Sequence, residues 1–334
     1  MKIAGEKTVY EQKLAQTPNY LMIEPTNKCN LKCKMCSREE LKDIGDMDYD
    51  SFEKVMKQLP GIKTIKFQGL GEAYLAKDAM RMLLYCKQKN IDVVSITNCL
   101  WKNINIEELM PLLKHMYISY HAADEETYGE ICGVEGKTRS SFWELLHKNI
   151  EKIVASKGNC EVLLNCVISS INYYQAPEIV KRAKSLGVNH VRFQIMQNWT
   201  TEGEELFDNL ASVAEMDENL LINALKKAYQ LARELDISIE LVGNSEFEFT
   251  HCIWPFERTY INRNGDVLTC HMRPAPEYKI GNVFEKTFEE IWNGDKLNTI
   301  RELLSQNNPP EMCCKCPYIE NADVLRRIKQ KLGG

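Results

Sequence analysis

The sequence predicts an α/β fold in which repeated strand–helix units build a parallel sheet with helices outside, followed by a small C-terminal module of hairpin and helix. Three observations support this. From about Tyr20 to about Gly243, apolar residues switch repeatedly between two-residue and helical spacing. After Gly243 that rhythm stops, and Asn264-Gly265 sits between two short apolar runs, the signal of a two-residue hairpin turn. The 334 residues are 44% hydrophobic, enough for one large domain with a smaller one attached or for two medium domains. Parallel neighbours need crossover connections, which puts the helices on the outside. Six such units either close partly into a barrel or lie open and doubly wound. In both cases functional loops belong at the C-terminal ends of the strands.

Residues 21–23 read as the first strand and lead directly into a cysteine-rich loop. Phe52, Val55, Met56 and Leu59 then recur at helical spacing. Ile65 and Phe67 alternate in a second strand, and Met80, Leu83 and Leu84 mark the next helix. Residues 93–97 form the third strand, 106–114 a helix and 117–120 the fourth strand. Ser141 with Glu144 has the capping-box pattern and opens a helix running towards Ala155. A fifth strand spans 162–168; Ile179, Ala183 and Leu186 form a helix stripe stopped by Gly187; the sixth strand is 191–195. Leu221, Ala224, Leu225, Ala228 and Leu231 share one side of a long helix, followed by a strand at 237–241. Residues 288–292 form a short helix ahead of a cysteine-rich end. The expected divisions are an N-terminal extension (1–19), the main domain (20–243), the C-terminal module (244–320) and a tail (321–334). The module has too few apolar residues for an independent core, so a metal staple would complete it.

The net charge is −5, with 42 basic and 47 acidic residues interspersed. No basic stripe stands out, which argues against a nucleic-acid partner. The first 20 residues lack the apolar core of a signal peptide, and no apolar run is long enough to cross a bilayer. The expectation is a cytoplasmic protein with no membrane partner. Thirteen cysteines are many for that setting, where disulfides are rare, and their clustering points to metal.

The segment EPTNKCNLKCKMCSR places Cys29, Cys33 and Cys36 in a C-x3-C-x2-C arrangement just after a strand. Thiolate sulfur suits iron–sulfur clusters or zinc. Three thiolates on one loop hold three irons of a 4Fe–4S cube and leave the fourth iron open. A structural zinc site is normally closed by four ligands, and no His or fourth Cys stands beside this loop.

On these residues the chain resembles the radical S-adenosylmethionine (SAM) superfamily. The resemblance implies a partial (β/α)6 TIM-like barrel with Cys29, Cys33 and Cys36 ligating a 4Fe–4S cluster. It implies that SAM chelates the open iron and that its reductive cleavage yields a 5′-deoxyadenosyl radical, which abstracts a substrate hydrogen atom. A one-electron donor such as flavodoxin or ferredoxin would be a partner. Met35 stands where relatives often carry an aromatic residue near the adenine. Gln68-Gly69-Leu70-Gly71-Glu72 looks like a variant of the Gly-Gly-Glu-Pro motif, with Leu70 splitting the glycines and Ala73 replacing proline. It implies cofactor contacts from Gly69, Gly71 and Glu72. Thr97-Asn98 resembles a Thr-Asn-Gly segment with Cys99 in place of glycine, so Asn98 joins that set, as do Ser119 on the fourth strand and Asn165 on the fifth.

Cys252, Cys270, Cys313 and Cys316, with Cys314 adjacent, form a second group. The same spacing could build a four-cysteine zinc site. The group resembles the shortened SPASM module called twitch, which implies one auxiliary 4Fe–4S cluster held by those four thiolates and two clusters in all. The resemblance spans about residues 20–320.

Twitch-containing relatives include an aminocyclitol dehydrogenase, aminosugar epimerases and peptide-modifying enzymes. An epimerase needs a hydrogen donor on the opposite face, and Cys99 and Cys132, which follow the third and fourth strands, are the candidates. Peptide-modifying relatives commonly carry a leader-binding domain before the barrel, whereas about 20 residues precede the first strand here. The expected reaction is therefore oxidation or epimerisation of a carbinol carbon in a small polar metabolite, a sugar or aminocyclitol. Two readings stand beside it: a peptide-modifying maturase, and a noncatalytic zinc-stapled interaction protein.

Overall fold

The computed structural model describes residues 17–196, 217–243, 252–270, 278–314, 316 and 322–332. Ten strands among them form one sheet: β1 (Tyr20–Ile23), β2 (Thr64–Phe67), β3 (Asp92–Thr97), β4 (His115–Ser119), β5 (Glu161–Ile168), β6 (His190–Ile195), β7 (Ser238–Val242), β8 (Arg258–Ile261), β9 (Asp266–Leu268) and β10 (Lys279–Asn282). Their order is β10-β9-β8-β1-β2-β3-β4-β5-β6-β7. From β8 to β7 every pairing is parallel; β9 and β10 add antiparallel strands at one edge.

Strand alternation divides the sheet into two faces. In β2, Ile65 and Phe67 are fully buried under the helices, while Lys66 and the following Gln68 turn to the other side. The outer layer includes α1 (Tyr49–Gln58), α2 (Ala79–Gln88), α3 (Ile106–Leu109), α4 (Glu125–Cys132), α5 (Gly136–Ser156), α6 (Ala176–Ser185) and α7 (Glu218–Leu235). Asp48, Asp124 and Asp217 cap α1, α4 and α7 by accepting from backbone N–H groups of the first turn. Residues of β1, β2, β6, β7 and β8 line one cavity, although β7 and β8 are not hydrogen-bonded to each other. The sheet is thus curved into an incompletely closed barrel, as the resemblance implies.

Several local expectations are corrected. The helix expected to open at Ser141 starts at Gly136, because Glu135 already adopts the extended N-cap geometry. α4 was not anticipated. The hairpin at Asn264-Gly265 is not a two-residue turn. Asn262 N–H donates to Asp266 O (3.0 Å) and Gly265 N–H to Asn262 O (2.9 Å), so Arg263, Asn264 and Gly265 form a three-residue loop. Gly265 takes the left-handed position, φ +81°.

The C-terminal module does not stand apart. β8 pairs in register with β1, Tyr20 opposite Arg258 and Ile23 opposite Ile261, so the module extends the barrel sheet. Beyond it lie α8 (Trp254–Glu257), α9 (Phe288–Trp292), α10 (Asp295–Ser305), α11 (Glu311–Cys314) and α12 (Ala322–Leu332). α12 falls where a tail was expected. It buries Leu325 and Ile328, while Arg327 pairs with Glu218 of α7 at 2.8 Å and Lys329 Nζ donates to Gly243 O at 2.8 Å.

Candidate active site at the barrel mouth

The cysteine loop leaves β1 and is pinned from three sides. On one side, Asn27 Nδ2 donates to Asp43 O and its Oδ1 accepts from Gly45 N–H, both at 2.8 Å. Thr26 Oγ1 bonds Asp46 Oδ1 at 2.6 Å and accepts from Lys28 N–H. On the second side, Asn30 Nδ2 donates to Leu100 O (2.9 Å) and its Oδ1 accepts from Asn98 Nδ2 (2.8 Å). On the third, Lys34 N–H donates to Ile131 O (2.9 Å) and Lys32 N–H to Cys132 O (3.3 Å) at the end of α4. Cys36 N–H closes a turn onto Cys33 O at 3.0 Å, which brings the Cys-x2-Cys pair together.

The loop after β2 presses against this one. A Cβ on Gly71 would lie 2.5 Å from the carbonyl oxygens of Thr26 and Lys28, and one on Gly69 would strike Glu24. Glu72 N–H donates to Lys28 O at 2.8 Å. The Glu72 side chain is buried and turned towards β3, where it accepts from Thr97 Oγ1 (2.8 Å) and Asn98 N–H (2.7 Å). Burial pushes its pKa up to about 7, against the pull of those donors. The glycines and Glu72 therefore set the loops against each other. Asn98 reaches the cysteine loop directly, with Nδ2 3.7 Å from Cys29 Sγ.

Glu24, which the sequence did not single out, is a second buried junction. It accepts from Leu70 N–H (2.8 Å), Tyr260 O–H (3.0 Å) and Arg263 N–H (3.4 Å), tying the β2 loop to the β8–β9 hairpin. Burial raises its pKa.

Inside the curved sheet lies a cavity of about 420 Å³. Met35 of the cysteine loop lines it, together with Gln68, Ser119, His121 and Asn165. Ser119 and Asn165 sit opposite each other in the β4–β5 register. Asn165 Oδ1 and Gln68 Oε1 are buried acceptors with no donor among the described residues. His121, also missed by the sequence, accepts from Val167 N–H at Nδ1 (3.2 Å), so its neutral ring carries the proton on Nε2. Burial lowers its pKa to about 4. The signal lay in its place at the end of the fourth strand, two residues past Ser119.

The expected hydrogen donors do not reach this cavity. Cys99 is fully buried in the core, where its backbone takes the left-handed conformation, φ +63°, in the place of the expected glycine. Cys132 lies beneath the cysteine loop at the end of α4, its thiol against that of Cys33. Neither lines the barrel interior.

The second cysteine group surrounds a small core of Met22, Trp254, Tyr260, Leu268 and Tyr278. Cys252 and Cys270 pack on it, as does Met312, the neighbour of Cys313; the Met312 carbonyl accepts from Tyr278 O–H at 2.8 Å. Cys316 N–H bonds Cys313 O at 3.0 Å, repeating the turn between Cys33 and Cys36.

These donor sets fit iron–sulfur clusters. Burial raises the Cys29 pKa to about 11, and contact with Cys132 followed by burial raises that of Cys33, so both give up their protons only to a compensating charge such as a metal. Among the described residues no three His, Cys, Asp or Glu side chains converge as a single-ion site requires. A cube instead spreads its ligands over separate irons.

Comparison with known proteins agrees. Residues 23–165 match the radical SAM superfamily, and residues 252–317 match SPASM, an iron–sulfur cluster-binding domain. The chain carries a radical SAM domain followed by a C-terminal SPASM domain; SAM and iron–sulfur clusters are the cofactors these domains imply. It is 26% identical to the tungsten-containing aldehyde ferredoxin oxidoreductase cofactor-modifying protein of Pyrococcus furiosus, over 92% of this chain and 89% of that one. It is 24% identical to PqqA peptide cyclase of Gluconobacter oxydans, over 91% and 84%. The crystal structure of Streptococcus suis SuiB bound to S-adenosylmethionine shares the fold, with a TM-score of 0.69 at 21% identity over 86% of this chain and 68% of SuiB. SuiB has also been solved bound to its precursor peptide SuiA. Among the described residues no helix is long and apolar enough to cross a membrane.

Proposed function

We propose that this radical SAM enzyme modifies a peptide by hydrogen-atom abstraction inside the barrel. The observation that carries the reading is that Met35, between Cys33 and Cys36, lines the same cavity as Ser119, His121 and Asn165. The cysteine loop and the polar groups able to hold ligands thus share one enclosed space. Relatives similar over most of the chain support the peptide: one is a peptide cyclase, and SuiB shares the fold. These relatives favour the peptide-modifying alternative over the small-metabolite expectation. The match to an iron–sulfur domain displaces the zinc-stapled scaffold.

Cys29, Cys33 and Cys36 would hold one 4Fe–4S cluster, and Cys252, Cys270, Cys313 and Cys316 one auxiliary cluster. When bound and reduced by a donor such as ferredoxin or flavodoxin, cluster and SAM together supply a 5′-deoxyadenosyl radical. The chain's own residues bind, orient and exclude water. Asn165 Oδ1 and Gln68 Oε1 offer acceptors for ligand N–H or O–H groups, His121 Nε2–H offers a donor, and Met35 closes an apolar wall. Because the His121 pKa is held near 4, it stays a neutral donor throughout the neutral range.

The test is 5′-deoxyadenosine release by the anaerobically reconstituted enzyme. It is offered short peptides encoded beside its gene, or a panel of sugars and aminocyclitols. Release stimulated by a peptide, with a mass change in that peptide, is expected. Stimulation by the sugars or aminocyclitols alone would sink the peptide reading.

A further inference from the structure

We infer that the floor of the barrel is a carboxylate-binding subsite, built from Lys66, Arg192 and Arg258, that anchors an acidic group of the substrate. All three line the cavity, and among the described residues no Asp or Glu lines it. Lys66 and Arg258 come from β2 and β8, which flank β1, whereas Arg192 comes from β6, four strands beyond β2, so curvature of the sheet brings it to the same space. Lys66 has no hydrogen bond or ion pair among the described residues. Its register neighbours, Met22 on β1 and Val94 on β3, are apolar and line the cavity beside it.

Among the described residues, the other titratable groups lining this space are Tyr20, Tyr117 and His121, none of them anionic at neutral pH. Arg258 lies over the Tyr20 ring at 4.7 Å and Arg192 over Tyr117 at 5.2 Å, so both guanidinium groups rest on aromatic faces. Glu240 backs Arg192 from the neighbouring strand, its Oε2 3.3 Å from Nε. It compensates one charge of the three. Burial, and then repulsion from Arg192 and Arg258, lower the Lys66 pKa to about 8. A partly buried, unpaired ammonium among like charges costs stability unless a ligand neutralises it. Planar guanidinium forks suit a carboxylate, the acidic group a peptide carries.

Position favours the substrate over SAM as the source. Lys66 lies two residues below Gln68 on its strand, roughly 6–7 Å deeper than the loop at the barrel mouth. The inference rests on the barrel being the substrate site, and deepens that reading.

The test follows Lys66 titration in the reconstituted holoenzyme, by trace labelling with an amine-selective reagent and mass spectrometry of the Lys66 peptide. A midpoint near pH 8 is expected in buffer alone, rising by about one unit or more with acetate, a roughly tenfold change in proton affinity. A midpoint that acetate leaves in place overturns the proposal. So does a shift produced fully by SAM alone, which would assign the cations to the cofactor's own carboxylate. A response to inorganic phosphate but not acetate also overturns it. Lys66→Met removes a partly buried charge, should fold, and should lose the acetate-dependent rise in thermal midpoint; keeping that rise counts against the subsite. Since acetate is the probe, a failure of peptides to stimulate 5′-deoxyadenosine release would not alter this result.

Discussion

At the scale of single residues, Glu72 shows how one carboxylate joins loops from two strands. Its hydrogen bonds to Thr97 and Asn98 favour the ionised form, yet burial raises its pKa from 4.5 to about 7. Between those values the folded chain keeps a proton that the unfolded chain has lost. The contribution of Glu72 to stability is therefore largest at acid pH and declines as pH rises through this window, by about 3 kcal/mol in all. Glu72→Gln should flatten that part of the stability profile, measured by urea midpoints from about pH 4.5 to about pH 8; an unchanged slope would mean Glu72 titrates normally. The motif made Glu72 legible in the sequence, but not its partners. Glu24 was invisible for a related reason: its partners Leu70, Tyr260 and Arg263 lie 46, 236 and 239 residues away. Its one local signal was an acidic side chain at the end of an apolar strand, directly before Pro25.

At the scale of elements, strands were read more securely than helix starts. All seven parallel strands from β1 to β7 fall where alternation and β-branched runs place them. Helix α5 was placed late because Ser141 and Glu144 imitate a capping box, whereas Glu135 and Gly136 carry no cap side-chain bond to betray the true start. The sequence pattern gives helix α12 as a tail because only Leu325 and Ile328 are deeply apolar among many charges, and its value lies in what they fill. Leu325 packs where Gly243 ends β7, so that a Cβ there would lie 2.2 Å from its methyl carbon. Leu325→Ala and Ile328→Ala should each lower stability by about 2–5 kcal/mol, read from denaturant midpoints. Losses below about 0.5 kcal/mol would mean that α12 does not dock on the barrel.

At the scale of the whole molecule, β8 joins the cysteine-bearing C-terminal module to β1, whose end launches the first cysteine loop. The two proposed cluster sites thus flank one continuous sheet, and Glu24 fastens the hairpin of one to the glycine loop of the other. Cysteine spacing made both sets legible, because ligand spacing is local. The cationic barrel floor was not legible, because Lys66 and Arg258 meet only through strand pairing across β1, and Arg192 joins them only through curvature. The most direct measurement is iron, sulfide and zinc content after anaerobic reconstitution, with the Cys29/Cys33/Cys36→Ala variant alongside. About eight irons per chain, falling to about four in the variant, is the expected result for two 4Fe–4S sites. Zinc without iron, even after reconstitution, would contradict radical chemistry for this chain.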